Sequence, residues 1–156
     1  MQILDGKKTA QDIKIEITAE VNKMKANNEK VPHLAAIIVG NDGASLTYVG
    51  SKVKACELVG IFSKEYRLPS SASMEEVKLA IDELNRSANI DGILVQMPLP
   101  SHLDAIDLVN RIDPLKDVDG FTPHNQILLL QGRLGLFPCT PLGVMRLLEM
   151  NNVSLR

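Results

Sequence analysis

A chain of 156 residues, 45% apolar and 23% charged, has the size and composition of one globular domain with a sizeable core. A formal net charge of −2 and an aromatic share of 3%, with no Trp, leave neither the basic footprint nor the stacking platforms that nucleic acid requires. No apolar stretch approaches the ~20 residues of a membrane span, and Asp5 interrupts Met1–Leu4 before a signal-peptide core can form. The expectation is a cytoplasmic protein acting on a small molecule.

The pattern along the chain is helix alternating with short apolar strand. Ile13, Ile15, Ile17, Val21 and Met24 predict an amphipathic helix over Ala10–Asn27. After the break at Pro32, residues 33–40 form a continuous apolar run that ends in Gly40, as in a parallel strand covered on both faces. A second helix is expected over Ser45–Val59, closed by Gly60, then a strand over Ile61–Leu68. Ser70–Ser73 signals a turn and cap, and Val77, Ala80, Ile81 and Leu84 stripe a helix over Met74–Arg86. Asp91–Gln96 reads as the third strand, stopped by Pro98-Leu99-Pro100. A helix near Leu103–Arg111, a Pro- and Asp-rich loop over Asp113–Phe121, and helical stretches near His124–Leu130 and Pro141–Met150 complete the chain. This alternation predicts an α/β fold, a mostly parallel sheet with helices on both faces in three layers.

Ligands of such sheets bind beyond the carboxyl ends of the strands, and three groups fall there. Tyr48 and Lys52, four residues apart, share one face of the helix that follows Gly40. A partly desolvated amine at a cleft can exchange protons near neutrality, although Tyr and Lys at this spacing are also common on solvated faces. Gln96 stands directly after an Ile-Leu-Val run, where a buried amide needs partners. Its carbonyl could accept from Lys52, or it could bond to nearby loop backbone. Asp117 and Asp119 alternate in Lys116-Asp117-Val118-Asp119-Gly120-Phe121. The two are expected to point to opposite sides, one bracing the loop and the other facing a ligand. Two carboxylates without a His make a poor metal site. Cys56 and Cys139 are far apart and suggest neither a zinc site nor a disulfide framework, and Cys56 reads as a buried inert thiol.

In order and spacing, four segments together resemble the bifunctional methylenetetrahydrofolate dehydrogenase/cyclohydrolase family. They are the Tyr48-x-x-x-Lys52 helix, Leu94-Val95-Gln96-Met97-Pro98-Leu99-Pro100, Lys116-Asp117-Val118-Asp119-Gly120-Phe121, and Pro138-Cys139-Thr140-Pro141-Leu142-Gly143. The resemblance implies that Lys52 is the catalytic lysine, Tyr48 its partner in placing substrate, and Gln96 the glutamine beside the lysine. It implies that Asp119 holds the pterin, that Pro98 and Leu99 also touch substrate, and that Thr140 has a minor part in cofactor binding. It further implies two reactions on a tetrahydrofolate, an NADP-dependent oxidation of the methylene bridge and hydrolysis of the resulting methenyl cation to 10-formyltetrahydrofolate.

Residues 1–156 are then expected to be the folate-binding catalytic domain, with 138–156 leading toward a nucleotide-binding domain that this sequence does not contain. No G-x-G-x-x-G occurs here to hold a dinucleotide. Family dimers are built largely through that second domain, so a homodimeric parent and a monomeric piece are expected, with apolar surface left on the Leu142–Met150 helix. Where the family commonly carries Pro after the aspartate of the first loop, this chain has Gly43, which loosens the turn. Two rival readings are a non-catalytic folate-binding module and a short-chain dehydrogenase piece. The second also uses Tyr-x-x-x-Lys but needs an upstream glycine-rich turn that is missing.

Overall fold

The computed structural model describes residues 3–154. Three parallel strands, β1 (His33–Val39), β2 (Phe62–Leu68) and β3 (Gly92–Val95), form one sheet in the order β2-β1-β3. The register pairs Ile37 with Tyr66 on one side and with Val95 on the other. Central β1 is buried from Ala35 to Val39, as expected of a strand covered on both faces. β2 is an edge strand whose outward residues include Lys64 and Arg67. The outer edge of β3 carries a single further bridge, Ile93 to Asp117.

Alternation along β1 divides the core in two. Ala35, Ile37 and Val39, with Ile93 and Val95, pack against Val77, Ile81 and Leu84 of α3 (Met74–Arg86) and Leu108 of α4 (Ala105–Asn110). Ala36, Ile38 and Leu94 face the other way, toward Val49 and the partly buried Leu46 and Val53 of α2 (Gly43–Val59). Helix α1 (Gly6–Ala26) lies outside α2, and α5 (Pro123–Leu130) and α6 (Cys139–Met150) follow the third strand-helix unit. The three-layer α/β arrangement expected from the alternation is present. Among the described residues, no helix is long and apolar enough to cross a membrane.

Local chemistry sets the element ends. α1 begins at Gly6, earlier than its apolar stripe suggested, because the Asp5 carboxylate caps Lys8 N at 2.9 Å. α3 carries a full capping box between Ser73 and Glu76. α4 is shorter than expected, since Asp104 accepts from Ile106 N and Asp107 N and so fixes its first turn. α6 starts at Cys139 rather than Pro141, which a proline in the first helical turn permits. It buries none of its residues, and Leu142, Val144 and Met145 lie exposed on it.

Gly43 is the first residue of α2, after an Asp42 cap in extended conformation (φ −62°, ψ 124°). That is the backbone a following proline demands, and no atom crowds the Gly43 Cβ position. Gly43→Pro is therefore expected to stabilise the fold by about 0.5–1 kcal/mol through the unfolded chain's entropy. Urea denaturation would read it as a raised midpoint at unchanged slope.

Candidate functional site

Three elements meet around Lys52, and two of them line a cleft. The first is α2, held at its start by the Asp42 side chain accepting from Ser45 N at 2.8 Å. The buried Ser45 hydroxyl donates across to Met97 O at 3.3 Å, tying the helix to the loop after β3. The second is that loop, which carries Gln96. The third is the turn after Lys116, closed by Gly120 N donating to Asp117 O at 3.1 Å.

At their meeting point Lys52 Nζ donates to Gln96 Oε1 at 3.2 Å. Gln96 Nε2 donates to Met97 O at 2.6 Å, so the amide is fixed with its oxygen toward the amine. Of the two environments open to Gln96 from sequence, it meets both, the lysine and the loop backbone.

Lys52 and Asp119 line a cleft of about 510 Å³ whose other walls are largely apolar, including Leu34, Ala55, Leu94 and Val118. This volume suits a small-molecule ligand. Burial pushes the Asp119 carboxyl above the ordinary carboxylate range, the Lys52 charge pulls it back, and Asp117 adds to the rise.

A carboxyl whose folded value is raised is held at a cost when ionised, and folding is relieved as pH falls through that value. Asp119→Asn is thus expected to raise the melting temperature at pH 7.5 by about 2 °C. The gain should shrink as pH falls and the wild-type carboxyl takes up its proton, and an equal shift at pH 7.5 and at acid pH would contradict it.

The Asp117 and Asp119 carboxylates are separated, but by a turn and not by alternation. Residues 118 and 119 are not extended, Gly120 N closes back on Asp117 O, and in extended backbone positions two apart would share a face. Asp117 is buried, accepts from Thr122 N at 2.8 Å and Asn125 Nδ2 at 3.0 Å, and braces the loop. Burial alone would raise its carboxyl, but these hydrogen bonds hold it below the usual range. Asp119 faces the cleft.

Other candidate residues lie further out. Tyr48 is 66% exposed on α2 and does not line the cleft. Pro98, joined by a cis peptide bond to Met97, is exposed, and Leu99 packs partly against the core. Thr140 is exposed in the first turn of α6.

Cys56 is not a core thiol. It is half-buried on the cleft wall, with its thiol pushed up by burial and by Glu57. Cys139 lines the same cleft, and its Sγ donates to Val118 O at 3.6 Å. Nothing in the sequence marked Ser45 or Asn125, whose partners lie on other elements. No group of three or more His, Cys, Asp and Glu side chains among the described residues could hold a metal ion.

Residues 4–119 match the family model described as tetrahydrofolate dehydrogenase/cyclohydrolase, catalytic domain. The chain belongs to that family. It is 59% identical over 154 residues to the bifunctional protein FolD of Flavobacterium psychrophilum, covering 99% of this chain and 52% of that protein. The bifunctional FolD enzyme of Campylobacter jejuni superposes with a TM-score of 0.95 at 42% identity, over 98% of this chain and 54% of the other. The Trypanosoma brucei methylenetetrahydrofolate dehydrogenase-cyclohydrolase, solved with NADP cofactor and an inhibitor, gives 0.91 at 33% identity, over 97% and 52%. The chain spans about half the length of the curated relatives it matches.

A family nicotinamide cofactor does not fit the residues described. The strand-to-helix turn after β1 lacks the glycine fingerprint, and the Asp42 carboxylate already occupies the start of α2, where a pyrophosphate would need positive potential.

Proposed function

We propose that this chain is the folate-binding catalytic domain of an enzyme of one-carbon metabolism. The enzyme oxidises 5,10-methylenetetrahydrofolate with NADP and hydrolyses the methenyl product to 10-formyltetrahydrofolate. The reading rests above all on one observation, an amine and a carboxylate from separate elements facing a single apolar cleft. Residues 138–156 lead, on this reading, to a second domain that supplies the cofactor site, with Thr140 near it. The full-length enzyme is a cytoplasmic homodimer.

The chain's own residues account for binding and for protons. A 2-amino-4-oxo pyrimidine edge presents two adjacent N–H donors, and the Asp119 carboxylate accepts both. Binding favours the ionised form, against the effect of burial. Apolar walls beside Leu94 and Val118 take the ring faces. Tyr48, one turn before Lys52 and open to solvent, offers a flat face to the part of the substrate that projects from the cleft. Pro98 and Leu99, on the loop after β3, also touch substrate on this reading.

In the hydrolytic step, water adds to the methenyl carbon and loses one proton. The remaining hydroxyl loses the second as the carbon–N5 bond breaks and the formyl C=O forms, and N5 takes one up, so that one proton is released overall. Lys52 manages those protons as general acid and base, with Gln96 Oε1 holding its nitrogen in place. Loss of a doubly accepting carboxylate should cost 10- to 100-fold or so in affinity, so Asp119→Asn should bind folate that much more weakly while folding better.

The test is turnover of 5,10-methenyltetrahydrofolate by this chain, followed by the loss of methenyl absorbance. Hydrolysis above the buffer rate supports a complete hydrolytic site. Folate binding without hydrolysis would favour the alternative, a binding module completed by a separate domain, and the length of the relatives makes that alternative specific. Neither binding nor turnover would overturn both.

A further inference from the structure

The Asp119 carboxylate receives no hydrogen bond among the described residues, so its direction is set by the backbone of the turn that carries it. That turn is held by its surroundings. Before it, Ile93 N donates to Lys116 O at 2.7 Å. The Lys116 ammonium donates to Leu84 O, Asn85 O and Ser87 O at the end of α3, at 3.1, 2.7 and 2.8 Å. Beyond it, the backbone of Leu136 and Phe137 lies directly over Gly120.

One buried side chain joins these pieces. Asn125 Nδ2 donates to Pro114 O at 2.9 Å and to the Asp117 carboxylate at 3.0 Å, and Asn125 Oδ1 accepts from Leu136 N at 3.4 Å. Both donors meet oxygens and the carbonyl meets an N–H, which fixes the orientation of the amide. The side chain thus ties together the loop entering the turn, the turn's own brace and the segment that covers Gly120.

We propose that Asn125 is a positioning residue for Asp119, fixing that carboxylate across the cleft from Lys52 without touching ligand itself. Asn125 joins Pro114 O, the Asp117 carboxylate and Leu136 N around the turn, and among the described residues Asp119 has no side-chain bond of its own. A change at 125 therefore reorients the carboxylate rather than removing a contact to substrate. The inference extends the folate reading but can be tested apart from it.

The experiment follows the Asp119 carboxyl by carbon NMR titration in the wild-type chain and in Asn125→Ser, with folic acid affinity measured in both. The titration midpoint is expected to move toward the ordinary carboxylate value in the variant, and folic acid to bind about tenfold more weakly, the scale of coupling between linked side chains. In an Asp119→Asn background the same Asn125→Ser change should alter affinity less than about twofold, since little is left to position. An unmoved Asp119 midpoint in the folded variant, or an equal loss of affinity in both backgrounds, would overturn the proposal.

Should Asn125→Ser not fold, Asn125→Asp keeps the shape and sets one carboxylate against Asp117. Its folic acid affinity is expected to improve as pH falls and that pair takes up a proton, opposite to the wild type, whose affinity declines as Asp119 protonates. A profile parallel to the wild type would overturn the proposal as well. A wild-type chain that binds no folic acid would refute the functional reading, and the Asp119 titration alone would then decide the role of Asn125.

Discussion

Replacing Lys52 with Met is expected to lower hydrolysis of methenyltetrahydrofolate by about 10²- to 10⁴-fold, the usual contribution of one well-placed acid-base group. Methionine keeps most of the aliphatic stem, so the apolar wall that Lys52 shares with Ala55 and Leu94 survives. What disappears is the ammonium and its 3.2 Å bond to Gln96 Oε1. Gln96 stays anchored by its own bond to Met97 O. Folate affinity should therefore change little beside the loss of turnover, because Asp119 and the apolar walls hold the ring. This split is what separates a proton-transfer role from a binding role. Undiminished turnover in Lys52→Met would refute the assignment, and a loss confined to affinity would move Lys52 from chemistry to binding.

Gly120→Ala should do the largest damage to the fold. Gly120 has φ +65°, a conformation that costs a residue with a side chain about 1 kcal/mol or more. An added Cβ would also fall 2.6 Å from Leu136 O and 2.7 Å from the Phe137 carbonyl carbon, both backbone atoms with no side-chain freedom to yield. Forced overpacking of this kind typically costs about 1–3 kcal/mol. The sum, about 2–4 kcal/mol, corresponds to a fall in melting temperature of roughly 5–15 °C for a chain of this size. Thermal melts followed by circular dichroism would test it, with Gly43→Pro as a control of opposite sign. A loss below about 1 kcal/mol would mean that the 136–137 segment moves aside easily. Because Asp119 precedes Gly120, folate affinity should fall with stability, unlike Asp119→Asn, in which the two move in opposite directions.

These consequences were unevenly legible in the sequence. The three strands and the helices between them could be read because β1 and β3 are continuous apolar runs and α3 has a clear stripe and cap. Helix starts were less clear where a carboxylate cap decides them, as at Asp5 and Asp104.

Within the site, Gln96 stood out as an amide at the carboxyl end of β3 and Lys52 by its spacing from Tyr48. The cleft that Lys52 and Asp119 line, however, is bordered by His33, Leu34 and Gly92 at the amino ends of β1 and β3, not by the carboxyl ends where ligands of such sheets are expected. Which of Asp117 and Asp119 faces the cleft was not legible from their spacing, because the turn at residues 118 and 119 decides it; the family resemblance alone pointed to Asp119. Ser45, Cys139 and Asn125 did not stand out. Ser45 and Asn125 matter through bonds to residues 52 and 11 positions away, and Cys139 reaches Val118 across 21, partnerships that only the folded backbone creates. Cys56 was misplaced for a related reason. An apolar neighbourhood in sequence does not say which face of α2 meets the sheet and which meets the cleft.

The sheet's order carries one more implication. β2 pairs with β1 along one side only, so the peptide groups of its other side face outward along seven residues. A free strand edge is ordinarily a template on which further chains can stack. Beside it the exposed Lys64 and Arg67 stand on opposite faces of the strand, with Glu65 held against the Arg67 guanidinium at 2.8 Å. A strand added along that side would have to strip water from the Lys64 ammonium and from the Arg67–Glu65 pair. The chain can thus expose an unfinished sheet at high concentration and still resist edge-to-edge aggregation.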